Sequence, residues 1–492
     1  MRNAGHSLGR HGDRAPPPPI TFHHGEHPHA RLLPPARPLH RPYESAGPGR
    51  TGRIDDPTRT PDPRPRTPTV PRQRGENTFP PTPDRLNPAR LAARRRVQFL
   101  GCLIAAGWAA AFPIVSDLPN QRLWGAIAAP AYALAGLLCL TLPRRIAPRA
   151  AAAAALIGAV LVPLALLALE GRHQSEVMVV ERSAHLLLTT GSPYLPHPVV
   201  VTDYNPYLPA MSLFGMPRAL VGSGGPVAQL VGDARIWFAL AFVVCLLASW
   251  RLLRPTRDRA PLLPLAVLTA SPLIALALVV GGVDLPLIGV CCLAMALAER
   301  DRTIGAGLVL AMACTLKWTA WPALPVAVLL LWRLYGRRPA ARAGLTALGA
   351  SLVVMVPAAL ARADALREQV VRFPLGLTAI QTPAGSPLPG KVLAGFGPTG
   401  HSVSLALMTI GGLGVAIWLL ARPPVSAIAA ADLLAAGLAI AFMLAPAGRF
   451  GYLALPAVLV IWPRLAARRW SARPPVPANC LLARPEPVLP RR

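Results

Sequence analysis

Lysine is almost missing from this chain of 492 residues: of 50 basic residues only Lys317 and Lys391 are lysine, and the rest are arginine. Charge of either sign is scarce, at 15% of residues against about 25% in an average soluble protein. Acidic residues number only 22, so the formal net charge is +28. With 53% hydrophobic residues and a positive mean hydropathy, one large soluble globule is excluded and a membrane protein is expected. A soluble chain this basic would point to nucleic acid; the apolar fraction removes that reading, and no nucleic-acid partner is expected. Also missing are any CxxC pair or Cys/His metal spacing, so no metal and no cofactor is expected. Six of the seven cysteines lie in apolar runs and read as buried thiols.

The polar residues that are present cluster. Residues 1–90 hold 20 of the 58 prolines and seven of the 11 histidines. Residues 1–92 lack apolar periodicity and read as a disordered cytoplasmic tail, and with no signal-peptide core no cleaved leader is expected there. The stretch 467–492 reads as a second disordered cytoplasmic tail. Between them, residues 93–466 form the membrane domain.

That domain contains twelve apolar runs between residues 97 and 463, so an all-α polytopic protein with about twelve transmembrane helices is expected. Three runs are short: 285–298, 304–316 and 451–463. Arg94, Arg95 and Arg96 put the N-terminus in the cytoplasm. With twelve crossings, the inside loops carry 18 basic residues in 44 positions and the outside segments 11 in 124, which supports this parity. Joining 304–335 into one helix would turn Arg333, Arg337, Arg338 and Arg342 outward, so a break is expected around Lys317–Trp318. Arginine thereby becomes an anchor to anionic lipid headgroups at the cytoplasmic face.

Once sorted by side, the chemistry-bearing residues fall outside. His173, His185, His197 and His401 do so, with both lysines and nine acids. Two outer segments are long, 170–235 and 362–402. In the first, residues 174–188 read as an amphipathic helix ending before Gly191. At helical spacing His173, Glu176 and Val180 share one side, and Glu181 and His185 another. A carboxylate beside a histidine at a membrane boundary is a candidate general base. The candidates are Glu176, Glu181 and Asp203, with Asp117 behind them. Tyr194, Tyr204, Asn205 and Tyr207 suit a sugar or the bilayer boundary, where a ring offers an apolar face and a polar edge. An ionisable Lys317 beside the hydrocarbon is costly and therefore a candidate for function; it could hold a lipid phosphate. In the second segment Arg372, Lys391 and His401 could add positive charge, and its Gly/Pro density suits a loop folded over a site.

The acid-bearing helix running into Gly191-Ser192-Pro193-Tyr194 resembles the first outer loop of GT-C superfamily membrane glycosyltransferases. The segments YNPYLPAMSLFGMPRAL, LKWTAWP, VVRFPLGLTAIQTPAGSPLPG and PAGRFGYLALPAVLVIW resemble actinobacterial proteins related to glycosyltransferase family 87. The resemblance spans about residues 150–463. It implies a polyprenyl-phosphate-mannose-dependent α-mannosyltransferase acting at the outer face of the plasma membrane on a lipid-linked or cell-envelope glycan. It places the catalytic acid fifteen residues before the Gly-x-Pro-Tyr-like turn, at Glu176, where the family typically has Asp. The crossings over 97–143 then form an added pair before the site. In this reading Lys317 with Arg372 or Lys391 binds the donor phosphate, His173, Tyr194, Tyr204, Asn205, Tyr207 and His401 contact substrate, and no metal is needed. The rival reading is a multi-pass transporter or lipid-linked-glycan flippase. It fits less well, because the long-loop pattern is not repeated in the second half and mid-span charge is nearly confined to Asp432.

Overall fold

A computed structural model describes residues 95–254, 261–380 and 382–467. The tails expected at 1–92 and, beyond Ala467, at 467–492 lie outside the described residues. Among the described residues the protein is helical, with no strand and one isolated bridge, between Gly385 and Gly448.

A helical hairpin comes first, α1 (Arg95–Val115) and α2 (Pro119–Thr141), followed by α3, which runs over Ala147–Leu169. Proline opens α2 in the first turn, where its missing N–H costs nothing. Within α3 the backbone widens into one π-type turn at Ile157–Leu161. Pro163 follows directly and has no N–H to give to the preceding turn. The amphipathic α4 (Ser175–Thr190) ends at Gly191, whose φ of 73° is the left-handed conformation that glycine supplies as a helix stop.

Next comes α5 (Ala234–Leu253), capped by the Asp233 carboxylate accepting from the Arg235 N–H. Two short helices follow, α6 (Leu262–Thr269) and α7 (Pro272–Val280), bent by 69°. Pro272 removes an amide at the bend, and the Tyr132 hydroxyl donates to the Ala270 carbonyl there at 2.6 Å. Then come α8 (Leu285–Glu299), α9 (Thr303–Leu316), α10 (Ala323–Tyr335), α11 (Arg337–Ala361), α12 (Pro398–Ala421), α13 (Ala427–Leu444) and α14 (Ala454–Ala467).

Among the described residues eight helices are long and apolar enough to cross a membrane, α14 being counted from Phe450, and nine if α6 and α7 make one broken span. The architecture is that of an all-α, multi-pass membrane protein. The expected count of twelve is larger because four runs fold into shorter pieces: 262–281 breaks in two, and α8, α9 and α10 have only 15, 14 and 13 residues. The reason is plainest at α8. At 1.5 Å per residue it reaches about 22 Å, short of the hydrocarbon core. Twelve of its residues are buried, and α5, α9, α10, α13 and α14 surround it. It is the central post of the bundle rather than a lipid-facing span, so its sequence is apolar all round.

Small residues let the helices pack closely, on this post and on one another. A Cβ added at Gly289 would stand 3.0 Å from Cys245 Cβ, and one at Gly307 would stand 2.8 Å from the Ala343 carbonyl. At the rim the pattern inverts. Helices α1 and α12 expose Leu100, Leu103, Ile104, Ile410, Leu413 and Ile417, a surface that hydrocarbon satisfies.

The two long connecting segments are tied to each other. Tyr194, Leu208, Ala365 and Val370 form a small buried cluster of their own. The Gln369 side chain accepts from the Asn205 N–H at 3.0 Å and donates to the Leu195 carbonyl at 2.6 Å. Tyr204 and Phe373 stack with centroids 4.3 Å apart. These contacts make residues 363–380 and 382–388 a cover over one end of the bundle.

Candidate functional site

Under that cover lies a cavity of about 430 Å³. Each of its charged residues sits where a helix starts or stops. Glu176 is in the first turn of α4. Lys317 is the extended residue that ends α9. Arg449 precedes the short turn Phe450–Leu453 that leads into α14. Asp284, the partner of Lys317, lies outside the lining and directly precedes α8. Helix ends carry unpaired backbone groups and tolerate polar neighbours, so the breaks between apolar runs become the polar lining.

The four charges form two pairs. Arg449 Nη1 donates to Glu176 Oε2 at 2.9 Å, and Lys317 Nζ donates to Asp284 Oδ1 at 2.6 Å. The Lys317 ammonium also lies 4.8 Å from the Tyr452 ring centroid and 5.8 Å from that of Tyr207, within cation–π range. Tyr204, Trp318, Trp321 and Phe373 add aromatic walls, and Met408, Leu438, Ala441 and Phe442 of α12 and α13 make one side apolar.

The electrostatics are those of a largely buried polar site. Burial raises the Glu176 pKa above the ordinary carboxylate range, and Arg449 only partly opposes this. For Lys317 burial works against the charge, but Asp284, Tyr452 and Glu176 outweigh it and its pKa is raised. Burial, reinforced by the charges of Glu176 and Asp284, pushes the Tyr207 hydroxyl well up, so it stays protonated as a donor. A carboxylate with a raised pKa, two fixed cations and a phenol in one cavity can accept a proton and stabilise an anion at once.

The structure brings together only part of the expected set. Glu176, Lys317, Tyr204 and Tyr207 line the cavity. Glu181 does not. It accepts from the Ala234 N–H at 3.1 Å and pairs with Arg218 at 3.2 Å, tying α4 to the start of α5. Asp203 accepts from the Val199 and Val200 amides, both at 3.0 Å, and pairs with Arg182 at 3.4 Å. The Val200 and Val199 amides hold its carboxyl below the usual range, which makes it a weak base.

The remaining expected residues lie off the cavity. Arg372 is half exposed and pairs with Glu368 at 3.2 Å one turn back. Lys391 sits in the short helix Pro389–Ala394, outside the lining. Tyr194 and Asn205 are buried framework: the Tyr194 hydroxyl donates to the Tyr207 carbonyl at 2.9 Å, and Asn205 Oδ1 accepts from the Tyr207 N–H at 3.1 Å. Both bonds fix Tyr207. His173 lies beside its neighbour's carbonyl, Nδ1 to Gln174 O at 3.1 Å. His401 packs near Gly376.

Two residues were not singled out in the sequence: Arg449, which lines the cavity, and Asp284, the partner of Lys317. Arg449 lies in a four-residue connection expected outside, a position that the charge asymmetry disfavours for arginine, and within one of the segments that carry the resemblance; these were its available signals. No family model, curated protein or solved structure matches the chain.

Proposed function

We propose that this protein is an integral membrane glycosyltransferase. It moves a hexose, mannose by the resemblance, from a polyprenyl-phosphate sugar to a lipid-linked or cell-envelope glycan at the outer face of the plasma membrane. The observation that carries the reading is the convergence of Glu176, Lys317 and Arg449 in one cavity with an apolar side on α12 and α13. A polyprenyl-phosphate sugar has matching parts: a hydrocarbon tail, a phosphate and a sugar. The cavity volume lies within the range of small-molecule sites. In this reading the arginine-rich loops and both termini face the cytoplasm and this end of the bundle faces outside.

The reaction is direct displacement with inversion. The acceptor hydroxyl gives its proton to Glu176 as its oxygen bonds to the anomeric carbon. The bond from that carbon to the phosphate oxygen breaks, and the electron pair leaves with the phosphate. Polyprenyl phosphate departs as a monoester, and its added negative charge falls to Lys317 and Arg449. Arg449 thus has two partners in sequence: the Glu176 carboxylate before the donor arrives, and the phosphate afterwards. The raised pKa brings Glu176 closer to the working pH, which suits a general base.

Mass spectrometry of lipid-linked glycans tests the reading. A strain lacking the protein is expected to lose one hexose increment, restored by the wild-type chain and not by Glu176→Gln. An unchanged glycan profile in the deletion strain would sink it. Full-length glycan accumulating on the wrong leaflet would favour a flippase instead.

A further inference from the structure

The Glu176 carboxylate has a neighbour with no side chain. A Cβ built on Gly281 would stand 1.8 Å from Glu176 Oε1 and 2.7 Å from Cδ, inside any contact distance. The carboxylate therefore occupies the space that any other residue at 281 would fill.

The backbone under it is held from two sides. Val279 and Val280 are the last residues of α7, whose terminal carbonyls lack partners within the helix. Gln174, at the start of α4, donates its N–H to Val280 O at 2.8 Å. Arg235 Nη1 donates to Val279 O at 2.5 Å. Arg235 is fully buried and is itself gripped by Asp233, with Nε to Oδ1 at 2.9 Å and Nη2 to Oδ2 at 2.6 Å. A buried ion pair is expensive to build, and among the described residues its one side-chain hydrogen bond outside residues 233–235 goes to this carbonyl. The segment then turns at Gly282, with φ of +82°, and delivers Asp284 to Lys317. One short connection supplies both the contact surface of the Glu176 carboxylate and the partner of the site's lysine.

We propose that Gly281 is a positioning residue, a backbone seat that fixes the Glu176 carboxylate in the cavity, with the Asp233–Arg235 pair holding the seat in place. This rests on Glu176 being the base of the proposed transfer. Any β-carbon at position 281 displaces the carboxylate from the acceptor hydroxyl while leaving the donor's phosphate and tail contacts in place. The obstructed group is the far end of a flexible side chain, so it can move aside without disturbing the fold.

The test uses the full chain in proteoliposomes. Gly281→Ala is expected to lower kcat on the order of 100-fold, as a displacement of about 1 Å does, with donor KM and thermal midpoint close to wild type. Glu176→Asp is shorter by one methylene and makes room for the new methyl. The double variant Gly281→Ala/Glu176→Asp is therefore expected to exceed Gly281→Ala in turnover. Wild-type turnover in Gly281→Ala overturns the proposal. So does a matching fall in the thermal midpoint, or a double variant no better than Gly281→Ala.

Isotope-edited infrared spectra supply a readout that needs no transfer. The Glu176 carboxylate band, identified by its loss in Glu176→Gln, is expected to shift in Gly281→Ala. An unmoved band rejects the seat. If the wild-type chain transfers no sugar from any polyprenyl-phosphate donor, the functional reading fails, and the infrared band still decides the seat.

Discussion

Glu176 and Arg449 stand 273 positions apart in the chain and meet at 2.9 Å inside the cavity. Burial drives the Glu176 pKa up, and Arg449 is the largest influence pulling it down. Removing the guanidinium therefore raises that pKa further. A general base must be deprotonated, so in Arg449→Gln the acidic limb of kcat/KM against pH is expected to move to higher pH. At the optimum, loss of a charge-stabilising donor lowers the rate by about 10²–10³-fold. The pH profile of donor turnover measures both. An acidic limb that stays in place would separate Arg449 from the base.

Lys317 is paired with Asp284 at 2.6 Å and faces the same cavity. In Lys317→Gln the developing phosphate charge loses a fixed cation, and kcat is expected to fall by about 10²-fold or more. Asp284→Asn keeps the ammonium and is expected to lose less. Steady-state kinetics of the two variants side by side check the order; a larger loss in Asp284→Asn would contradict it.

Arg372 and Lys391 are the control for this assignment. Neither lines the cavity, and Arg372 is committed to Glu368. Arg372→Gln and Lys391→Gln are expected to keep turnover within about twofold of wild type, as surface substitutions do. A tenfold loss in either would return it to the phosphate site.

Arg235→Met tests the fold rather than the chemistry. It leaves the Asp233 carboxylate buried without its partner. Breaking a buried pair from one side costs about 3–5 kcal/mol, so a large drop in thermal midpoint in detergent is expected. An unchanged midpoint would mean that the pair is not structural.

The sequence conveyed local relationships well and distant ones poorly. Helix α4, its stop at Gly191, the break at Lys317 and the choice of Glu176 and Lys317 as candidates all follow from spacing, capping and charge bias within a few tens of residues. Partnership was not legible. Glu181 and Asp203 carry the same side-chain chemistry as Glu176, and only the fold shows that Arg218 with the Ala234 amide, and the Val199 and Val200 amides with Arg182, already occupy them. Arg449 and Gly281 were not singled out, because the Glu176 carboxylate that both approach lies far away in the chain. The short run at 285–298 read as a weak span because periodicity cannot distinguish lipid outside a helix from protein around it.

The most direct test of the account is transfer from a radiolabelled polyprenyl-phosphate mannose in proteoliposomes, comparing wild type with Glu176→Gln while measuring donor binding in parallel. The amide keeps the size of the side chain and removes the base. The expected result is sugar transfer by the wild type, a loss of at least about 100-fold in Glu176→Gln, and donor binding retained in both. Glu176→Gln turning over at the wild-type rate would contradict the central claim.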